Sequence, residues 1–597
     1  MIAQILRRCQ VGHVFAYPGT SELALCDTLI GVKNICLING RGDKESAFMA
    51  AGGSLYNPCK TVALLHGARG LTNAAGAIAD AYRNELQTVF FVGLPSTTSA
   101  RFLPPHGEKN LMSSVGNFTK SFHVVTEAPN STDTPRQRRM KVHQFLMTVV
   151  DALLDVRRPP FGPTLCGIPQ DCLEQKWITS KDVTDILRTR DLHPRSHRGG
   201  VGIEKMMRIL EESDKPLILV DDFLFHYHEA HSALKKFAHA VCAPIVQIHY
   251  KRGPMFFERI DSRYNPYFIG QYNVNLKAHQ HIMKDTDVLV TLEDRNAYQR
   301  VVGVLPTCCK IAITTNAGMT KKNEYLRDDD VLVETDDIIA LLISAAQRLR
   351  LRVRRNHLQI KKQCTVLRAA AHIPTRIDAK YTFVRKTLPS VIAQVLSHNR
   401  SSYIIDDSQM FGGLLAEQYE LFQRKTRVFG DHGAFVGAGI SYANGFALCN
   451  PKATVLCTLG DQAFTNGLQG LVAAVENNIS ITYIVCNNQQ SVSLLKQAHF
   501  QHFVRLRKSA FLLNAPISYS KIASAIGIRS TLFTVPVVSN KRQCNMKEKE
   551  LYAILGKAIN YKGPALIELI MPSEQDAWSG IWATSGNETK TRSKKNQ

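Results

Sequence analysis

Two short polar stretches in the last third of the sequence have residue types that could bind a metal ion and an anion. Gly460-Asp461 ends the apolar run that starts at Thr454, and Asn487-Asn488 ends the run that starts at Ile481. Such runs predict buried strands, and the carboxyl ends of neighbouring parallel strands share one edge, where ligands bind. Asp and Asn oxygens suit Mg²⁺, and a helix start after Asp461 would favour phosphate. Two ordinary turns at strand ends would give the same pattern without a ligand.

The elements that would hold these residues form three segments with a similar sequence pattern. Short β-branched runs alternate with amphipathic helical stretches, which is typical of βαβ units and parallel sheets. We predict an α/β protein of three consecutive doubly wound domains at 1–180, 201–345 and 376–573, followed by a polar tail at 574–597. The predicted strands are 13–16, 61–65, 88–93, 217–221, 244–247, 288–292, 310–314, 403–406, 454–459 and 481–486, with helical stretches at 71–83 and 467–477 and a polar break at 181–200.

Composition excludes several classes of protein. The chain has 597 residues, 45% apolar and 21% charged, which is typical of folded domains and not of a disordered chain. No apolar run approaches the ~18 residues that cross a membrane, and the start does not resemble a signal peptide, so we expect a cytoplasmic protein without a membrane partner. The net charge of +23 is concentrated at 188–198, 348–355 and 590–595 without interleaved aromatic residues, which argues against nucleic-acid binding. The fourteen cysteines include no Cys-x-x-Cys pair, so we expect reduced thiols.

The spacing of the two polar stretches resembles the cofactor motif of thiamine-diphosphate-dependent enzymes. Asn488 follows Asp461 by 488 − 461 = 27 residues. The resemblance implies that Asp461, the side chain of Asn488 and the backbone carbonyl of Gln490 hold Mg²⁺ against the diphosphate of the cofactor. It also implies that Gly460, Gln462 and Ala463 line the diphosphate.

A second set of motifs, near the amino terminus, resembles the pyrimidine-binding domain of the same family. The matching stretches are 11–19, 44–50, 68–73, 76–82 and 92–96. By this resemblance Glu45 is the catalytic glutamate, whose carboxyl group hydrogen-bonds the pyrimidine ring and promotes its imino tautomer. Pro18, Gly19 and Asn73 would line the same end of the cofactor. Without the joint match, a Glu at a helix start is more often a surface residue that compensates the helix dipole.

Two further stretches fit the same pattern. Residues 433–439 resemble the segment that supports the cofactor in its bent conformation, with Val436 as the supporting side chain and Gly437 allowing close backbone approach. Residues 406–409 resemble a diphosphate loop, in which Ser408 and Gln409 would donate hydrogen bonds. The order and length of the segments resemble the acetolactate synthase and pyruvate decarboxylase group over about 1–575.

Within that group the sequence favours carboligation. Decarboxylases carry a His pair where this chain has His106 alone, and a Glu after the Asn pair where it has Leu494. Fewer nearby acids slow protonation of the decarboxylated adduct. We therefore expect an enzyme that decarboxylates a 2-oxo acid, pyruvate by default, and transfers the acyl-anion equivalent to an acceptor carbonyl, with His106 as a proton-transfer residue. The alternatives are a decarboxylase that releases an aldehyde and a catalytically silent cofactor-binding or interaction protein.

Several positions depart from the family pattern and indicate a divergent member. Gln462 replaces the last Gly of a Gly-Asp-Gly, Gly470 replaces a Glu, and Arg69 replaces a Pro. The resemblance also implies a homodimer or homotetramer in which Glu45 and Asp461 of one site come from different chains. By this resemblance FAD stays possible, but no sequence pattern supports it, because 201–345 contains no dinucleotide-binding glycine fingerprint.

Overall fold

Three six-stranded sheets follow one another along the chain, and every strand pairing within them is parallel. The computed structural model describes residues 1–99, 108, 110–174, 178–189, 201–249, 256–350, 356–371, 377–422 and 426–581. Helices cover the sheets, so the predicted α/β fold class is confirmed. We call each sheet with its helices the first, central and third unit. Among the described residues no helix is long and apolar enough to cross a lipid bilayer.

The first unit contains six strands and seven helices. They are β1 His13–Ala16, β2 Cys36–Asn39, β3 Thr61–His66, β4 Val89–Leu94, β5 Ser121–Val124, β6 Thr164–Pro169, α1 Ile2–Arg8, α2 Leu23–Leu29, α3 Asp43–Gly53, α4 Gly67–Arg83, α5 Pro135–Asp155, α6 Gln170–Glu174 and α7 Ser180–Thr189. The strand order is β2-β1-β3-β4-β6-β5. The start of α5 is fixed by a capping box, in which Thr134 and Gln137 satisfy each other's backbone N–H groups.

The central unit has the strand order β12-β11-β10-β7-β8-β9, where the labels follow chain order. Its elements are α8 Val201–Glu212, β7 Pro216–Val220, α9 Ala230–Val241, β8 Ile245–Gln247, β9 Phe268–Gln271, α10 Lys277–Asp285, β10 Val288–Leu292, α11 Gln299–Val302, β11 Cys309–Thr314, α12 Ala317–Lys322, β12 Val331–Glu334, α13 Ile338–Leu349 and α14 His357–Ala371. Helix α14 lies along the segment that leads to the third unit.

The third unit contains the two polar stretches with which the sequence analysis began. Its elements are α15 Leu388–Ser397, β13 Ser402–Asp407, α16 Met410–Glu417, β14 Thr426–Gly430, α17 Gly439–Cys449, β15 Thr454–Gly460, α18 Asp461–Gly467, α19 Gln469–Glu476, β16 Ile481–Asn487, α20 Val492–Phe500, α21 Val504–Lys508, α22 Tyr519–Ile526, β17 Arg529–Thr534, α23 Lys541–Ile559 and β18 Pro564–Ile570. The strand order is β14-β13-β15-β16-β18-β17. Adding 12 to each strand number of the first sheet gives this order, so the first and third units share one strand order.

The first and third units pack through α3 and α17, whose backbones touch where they cross. A Cβ added at Gly52 of α3 would lie 2.1 Å from the Tyr442 carbonyl oxygen, and one added at Gly445 of α17 would lie 1.9 Å from the Met49 carbonyl oxygen. Only glycine permits this approach at the two positions. The crossing fixes the start of α3, and with it Glu45, relative to the third unit.

Each predicted strand is found within one residue of its expected bounds at either end. The helix predicted at 467–477 corresponds to α19, and a separate short helix, α18, begins before it at Asp461, an acidic residue that the helix dipole favours at a first position. The predicted polar break at 181–200 begins inside α7, which buries Val183 and Ile186. The start of the predicted tail packs against the third unit, where Trp578 is fully buried.

Candidate functional site

Asp461 and Asn488 lie at the carboxyl edge of the third sheet, directly after the paired strands β15 and β16. Asp461 is 6% exposed, and its Oδ1 accepts a hydrogen bond from the Gln462 N–H at 2.8 Å. Its Oδ2 is buried and accepts none from any described residue. Burial raises the pKa of Asp461, and the nearby Asn514 amide offsets part of that rise. A buried carboxylate oxygen without a donor is suited to a metal ion.

The two asparagines after β16 have different surroundings. Asn487 donates from Nδ2 to Oε1 of the buried Glu568 at 2.7 Å, which ties β16 to β18. Asn488 accepts a hydrogen bond from the Gln490 N–H at 3.3 Å, a long contact that leaves its carbonyl oxygen able to bind a cation. The Gln490 carbonyl accepts from the Val492 N–H at 3.0 Å and keeps a second lone pair.

These oxygens fit a Mg²⁺ ion better than a transition metal. Asp461, Asn488 and Gln490 offer one carboxylate, one amide and one backbone carbonyl, all hard oxygen ligands. Nowhere in the described ranges do three or more His, Cys, Asp or Glu side chains cluster as a metal site would require. A metal at this edge would therefore depend on neutral oxygens and on the anion that it accompanies.

In the predicted diphosphate loop, the Ser408 side chain is hydrogen-bonded within the protein. Ser408 donates its hydroxyl to Asp406, so this hydroxyl is not directed at the edge. Gln409 has a φ of 48°, and its Oε1 accepts a hydrogen bond from the Ser493 hydroxyl at 3.1 Å. The amide nitrogen of Gln409 is therefore the better donor for an anion at this edge.

The segment around Val436 is shaped by Asp407, a residue to which the sequence analysis gave no role. Its buried Oδ2 accepts hydrogen bonds from the N–H groups of Gly437, at 2.8 Å, and Gly439, at 3.0 Å. Gly437 has a φ of 103°, and a Cβ there would lie 2.6 Å from the Asn466 side chain. Asp407 thus holds the half-buried Val436 in place. The acidic pair at the end of the predicted strand was the available signal for it.

The remaining predicted diphosphate residues differ in how they face the edge. A Cβ added at Gly460 would approach no heavy atom more closely than 3.8 Å, so the protein itself does not require glycine there. Ala463 is buried inside α18. The Gln462 side chain is exposed and reaches across to the Ser491 hydroxyl at 2.6 Å.

Glu45 lies in the first turn of α3, at the carboxyl edge of the first sheet. It is 1% exposed, and its Oε1 accepts no hydrogen bond from the residues that the structure describes. The Lys44 ammonium lies 3.1 Å from that oxygen. The Asn73 side chain accepts a hydrogen bond from the Lys44 N–H at 3.1 Å, which orients the start of the helix. The edge therefore holds a buried carboxyl group that is paired with the neighbouring Lys44 ammonium.

A hydrogen-bonded network beside Pro18 and Gly19 was missed from the sequence. Glu22 accepts hydrogen bonds from the Gly19 N–H at 2.5 Å and the Ser21 hydroxyl at 2.6 Å. His66 Nδ1 lies 2.9 Å from the Ser21 hydroxyl, and its backbone N–H donates to Asp43 at 3.1 Å. The signal was a His at the end of a predicted strand, a Ser-Glu pair one residue after Pro18-Gly19, and an Asp two residues before Glu45.

The two edges meet at a seam between the first and third units of one chain. Lys44 donates to the Asn466 carbonyl at 3.1 Å, the Arg41 guanidinium pairs with Glu476 at 2.5 Å, and the ring of Phe48 lies 5.1 Å from that of Phe435. The start of α3 therefore contacts the Val436 segment and helices α18 and α19 of its own chain.

Two residues named in the sequence analysis bear on the choice of reaction. His106 lies outside the described residues. Leu494 is 48% exposed on α20, close to the Asn pair. The side chains around the third edge are otherwise amides and hydroxyls: Gln409, Gln462, Gln490, Ser491, Ser493 and Asn514.

The carboxyl edge of the central sheet is occupied by ion pairs within the protein. The buried Arg295 guanidinium binds Glu85 of the first unit at 2.7 and 2.8 Å and Glu293 at 2.7 Å. Asp222 accepts a hydrogen bond from His432 of the third unit at 2.6 Å. The described charged groups at this edge are thus engaged in contacts within the protein.

Two family models match the chain. One, described as "Thiamine pyrophosphate enzyme, N-terminal TPP binding domain", matches residues 1–117. The other, described as "Thiamine pyrophosphate enzyme, C-terminal TPP binding domain", matches residues 413–569. Glu45 lies in the first match, and Asp461 and Asn488 lie in the second.

Similar proteins span nearly the whole chain. "Acetolactate synthase isozyme 2 large subunit" of Escherichia coli (strain K12) is 23% identical over 97% of this chain and 96% of its own length. "Acetolactate synthase 1, chloroplastic" of rice, Oryza sativa subsp. japonica, is 21% identical over 96% of this chain and 84% of its own. A similar solved structure, the thiamine diphosphate-dependent 4-hydroxybenzoylformate decarboxylase of Rhodococcus jostii RHA1, has a TM-score of 0.72 at 17% identity and covers 96% of this chain and all of that one. Benzoylformate decarboxylase of Polynucleobacter necessarius has the same TM-score and identity, with 96% and 99% coverage.

Proposed function

Because the chain belongs to the thiamine-diphosphate-dependent enzymes, in the group of acetolactate synthase and pyruvate decarboxylase, we propose that it decarboxylates a 2-oxo acid with this cofactor and Mg²⁺. When bound, thiamine diphosphate supplies a carbon nucleophile and an electron sink for the bond broken in decarboxylation. The observation that carries the proposal is a pair of buried carboxyl groups, Glu45 at 1% and Asp461 at 6% exposure, one at the carboxyl edge of the first sheet and one at that of the third. They lie on the two edges expected to hold the two ends of the cofactor.

The proposed roles follow from the surroundings of each residue. Asp461, Asn488 and the Gln490 carbonyl would hold Mg²⁺, and Gln409 would donate to a phosphate oxygen. Val436, held by the segment that Asp407 fixes, would support the cofactor between its two ends. Glu45 would share a proton with the pyrimidine ring, for which its exclusion from water is suited.

We propose that the decarboxylated unit is transferred to an acceptor carbonyl. The third edge supports this, because the amides and hydroxyls around it have no proton to give near neutral pH. The acetolactate synthase relatives span almost the whole chain, in agreement with the same outcome. The substrate would be a small 2-oxo acid, pyruvate by default.

A second candidate function is release of an aldehyde. The observation that favours it is His66, whose imidazole lies on the same edge as Glu45 and is 20% exposed. An imidazole there could protonate the decarboxylated unit and end the reaction without an acceptor. The two solved relatives are decarboxylases of arylglyoxylic acids, so such acids belong in the substrate panel.

One experiment tests both candidates. The purified protein is incubated with thiamine diphosphate, Mg²⁺ and either pyruvate or benzoylformate, and CO₂ and organic products are quantified. A new carbon–carbon bond supports carboligation, and one aldehyde per CO₂ supports the second candidate. In the latter case His66→Asn should lower the rate roughly 100-fold, whereas His123→Asn, a change at a His paired with Asp155, should not. Absence of CO₂ release with every acid, despite cofactor binding, would contradict both.

We further propose that the active enzyme is at least a homodimer with shared sites, as the family resemblance implies.

A further inference from the structure

The Val436 segment is held by one carboxylate in each half. Asp407 accepts hydrogen bonds from two N–H groups of the second half, as described above. Asp431 accepts from two N–H groups of the first half, that of Gly433 at 2.7 Å and that of Phe435 at 3.1 Å. The alanine between these two residues has a φ of 56°, which is unfavourable for a residue with a Cβ. The first half of the segment therefore depends on Asp431 for its conformation.

Asp431 belongs to the third unit, but a side chain of the first unit fixes it. Asn84, which directly follows α4, donates from Nδ2 to Asp431 Oδ1 at 2.6 Å. The Asn84 Oδ1 accepts a hydrogen bond from the His432 N–H at 2.9 Å. One turn earlier in α4, Asp80 Oδ2 accepts a hydrogen bond from the Tyr442 hydroxyl of α17 at 2.6 Å. The end of α4 is thus bonded to the third unit on both sides of the Val436 segment.

Gly76, Asp80 and Asn84 are spaced four residues apart, so they lie on one face at the end of α4. This face touches the segment directly. A Cβ added at Gly76 would overlap the Phe435 ring, and one added at Gly433 would overlap Asp80 Oδ1. Glycine is therefore required on both sides of the contact, once in each unit.

Asp80 and Asp431 are buried neighbours at this contact. The Cβ position of Gly433, which overlaps Asp80 Oδ1, is also only 3.1 Å from Asp431 Oδ1. The Asn84 amide contacts both carboxyl groups, Asp431 at 2.6 Å and Asp80 at 3.4 Å. Burial and the Asp431 carboxylate raise the pKa of Asp80 well above its usual range, and the Tyr442 hydroxyl offsets part of that rise. Asp80 is therefore a neutral carboxylic acid near pH 7, and its proton removes the repulsion between the two groups.

We propose that Asp80 and Asn84 are positioning residues, through which the first unit sets Asp431 and with it the Val436 segment against the bound cofactor. The inference rests on the proposed function, in which Val436 supports the cofactor between its two ends. No residue of this contact is among the proposed ligands of Mg²⁺ or of the diphosphate. The contact should therefore matter for the whole cofactor and not for diphosphate alone.

The test compares two ligands by calorimetry, thiamine diphosphate with Mg²⁺ and inorganic diphosphate with Mg²⁺. Asp80→Ala should weaken binding of the whole cofactor by about 10-fold and keep the affinity for inorganic diphosphate within about 3-fold of wild type. Asp80→Asn should restore the cofactor affinity to within about 3-fold, because an amide keeps the acceptor for Tyr442 and has an N–H where the acid carries its proton. A purely structural role of Asp80 would not separate the two ligands.

A second variant tests the same contact by steric means. Gly76→Ala keeps every hydrogen-bonding group and adds a methyl group against the Phe435 ring, so it should weaken the whole cofactor by about 10-fold and leave inorganic diphosphate unchanged. It decides the matter even where Asp80→Ala does not fold. The control is Asn57→Ala, which removes a hydrogen bond to Asn450 between the same two units at the opposite end of α17. It should leave both affinities unchanged.

Wild-type cofactor affinity in either Asp80→Ala or Gly76→Ala would overturn the inference, and so would an equal loss for both ligands. A loss in Asp80→Asn as large as that in Asp80→Ala would also overturn it, because the contact would then need an ionised carboxylate. Failure of the wild-type protein to bind thiamine diphosphate would overturn the proposed function instead.

Discussion

The first and third sheets have the same strand order but opposite chemistry at their carboxyl edges. The first edge gathers ionisable groups that contact one another, namely Glu22, Asp43 and His66, next to Glu45. The third edge sets Asp461 among neutral amides and hydroxyls, and the neighbouring Asp406 and Asp407 accept hydrogen bonds from the protein. One edge is therefore suited to moving protons, and the other to holding a cation and an anion whose charges do not change with pH.

The central edge shows that position in the fold does not by itself make a binding site. It carries Asp222, Glu293 and Arg295 at the ends of equivalent strands, yet each of them is paired with another protein group. Ligands are expected at carboxyl edges of parallel sheets. The central edge also has a buried carboxylate oxygen that accepts no described hydrogen bond, Glu293 Oε1, but the other oxygen of that carboxylate binds Arg295, whereas Asp461 pairs with no cation among the described residues.

The largest expected effect comes from replacing one carboxyl group at each outer edge, Glu45 at the first and Asp461 at the third. Glu45→Gln should lower turnover at least ~1000-fold, because an amide cannot exchange the proton that the pyrimidine ring needs. Its affinity for Mg²⁺ and inorganic diphosphate should stay within about 3-fold of wild type. Asp461→Asn should instead lower that affinity, because a neutral amide binds Mg²⁺ more weakly than a carboxylate.

Calorimetry with Mg²⁺ and inorganic diphosphate, together with CO₂ release, distinguishes the two changes. Asp133→Asn, at an acid that pairs with Lys141 away from both edges, serves as the control for removing a carboxylate. Normal turnover in Glu45→Gln, or a large loss of diphosphate affinity in that variant, would remove the contrast between the edges.

The next largest effect distinguishes the roles of Asn487 and Asn488 at the third edge. Asn488→Ala should lower Mg²⁺-dependent cofactor affinity by about 10–100-fold while the melting temperature of the free protein stays the same. Asn487→Ala should lower the melting temperature instead, because it leaves the buried Glu568 without one of its donors. The measurements are calorimetry and thermal unfolding on the same preparations. If both variants lose affinity equally, the two side chains do not have separate roles.

The sequence predicted the parts of this molecule that depend on local pattern. Apolar runs identify the central strands β15 and β16, and the spacing between Asp461 and Asn488 brings two oxygen ligands to one edge. The edge strands β5 and β17 were missed because they contain no buried apolar run. The buried strands β6 and β18 were missed as well. Domain bounds and the roles of the site residues stay predictions.

Contacts between distant segments could not be predicted in the same way. Asn514 meets Gln462 after an excursion through two helices, and only the folded chain shows that its amide returns to the edge. His66 occupies the end of a predicted strand as an isolated residue, without any neighbour in the sequence that signals Glu22 or Ser21 as a partner. Asp407 could have been found, because it is one of two adjacent acids at a strand end.

A third prediction asks whether one site draws its two edges from one chain or from two. Glu45→Gln and Asp461→Ala are each expected to be inactive. If the edges come from partner chains, mixing and reassociating the two variants restores about a quarter of wild-type activity, because one of the two sites in each mixed dimer is intact. Recovery is measured as CO₂ release after subunit exchange.

The control is the Glu45→Gln variant alone, taken through the same subunit exchange. No recovery in mixtures shown by mass spectrometry to contain mixed dimers would mean that each site uses both edges of one chain, through the seam that joins Lys44 to Asn466.

The smallest effect concerns the pH dependence of the first edge. Burial raises the pKa of Asp43 to about 6, from 3.8 in an exposed carboxyl group. The folded state therefore binds this proton more tightly than the unfolded state, so the contribution to stability is full below pH ~4 and is lost as the pH rises through ~6. The loss is on the order of 3 kcal/mol.

Asp43→Asn, which keeps an oxygen for the His66 N–H, should raise the melting temperature by roughly 2–4 °C at pH 7.5 and leave it unchanged near pH 4. Asp133→Asn should have the opposite sign at pH 7.5, because hydrogen bonds from the Asn130 N–H and Lys141 lower the pKa of Asp133. A pH-independent shift in Asp43→Asn would show that packing, and not the proton, sets the stability of this edge.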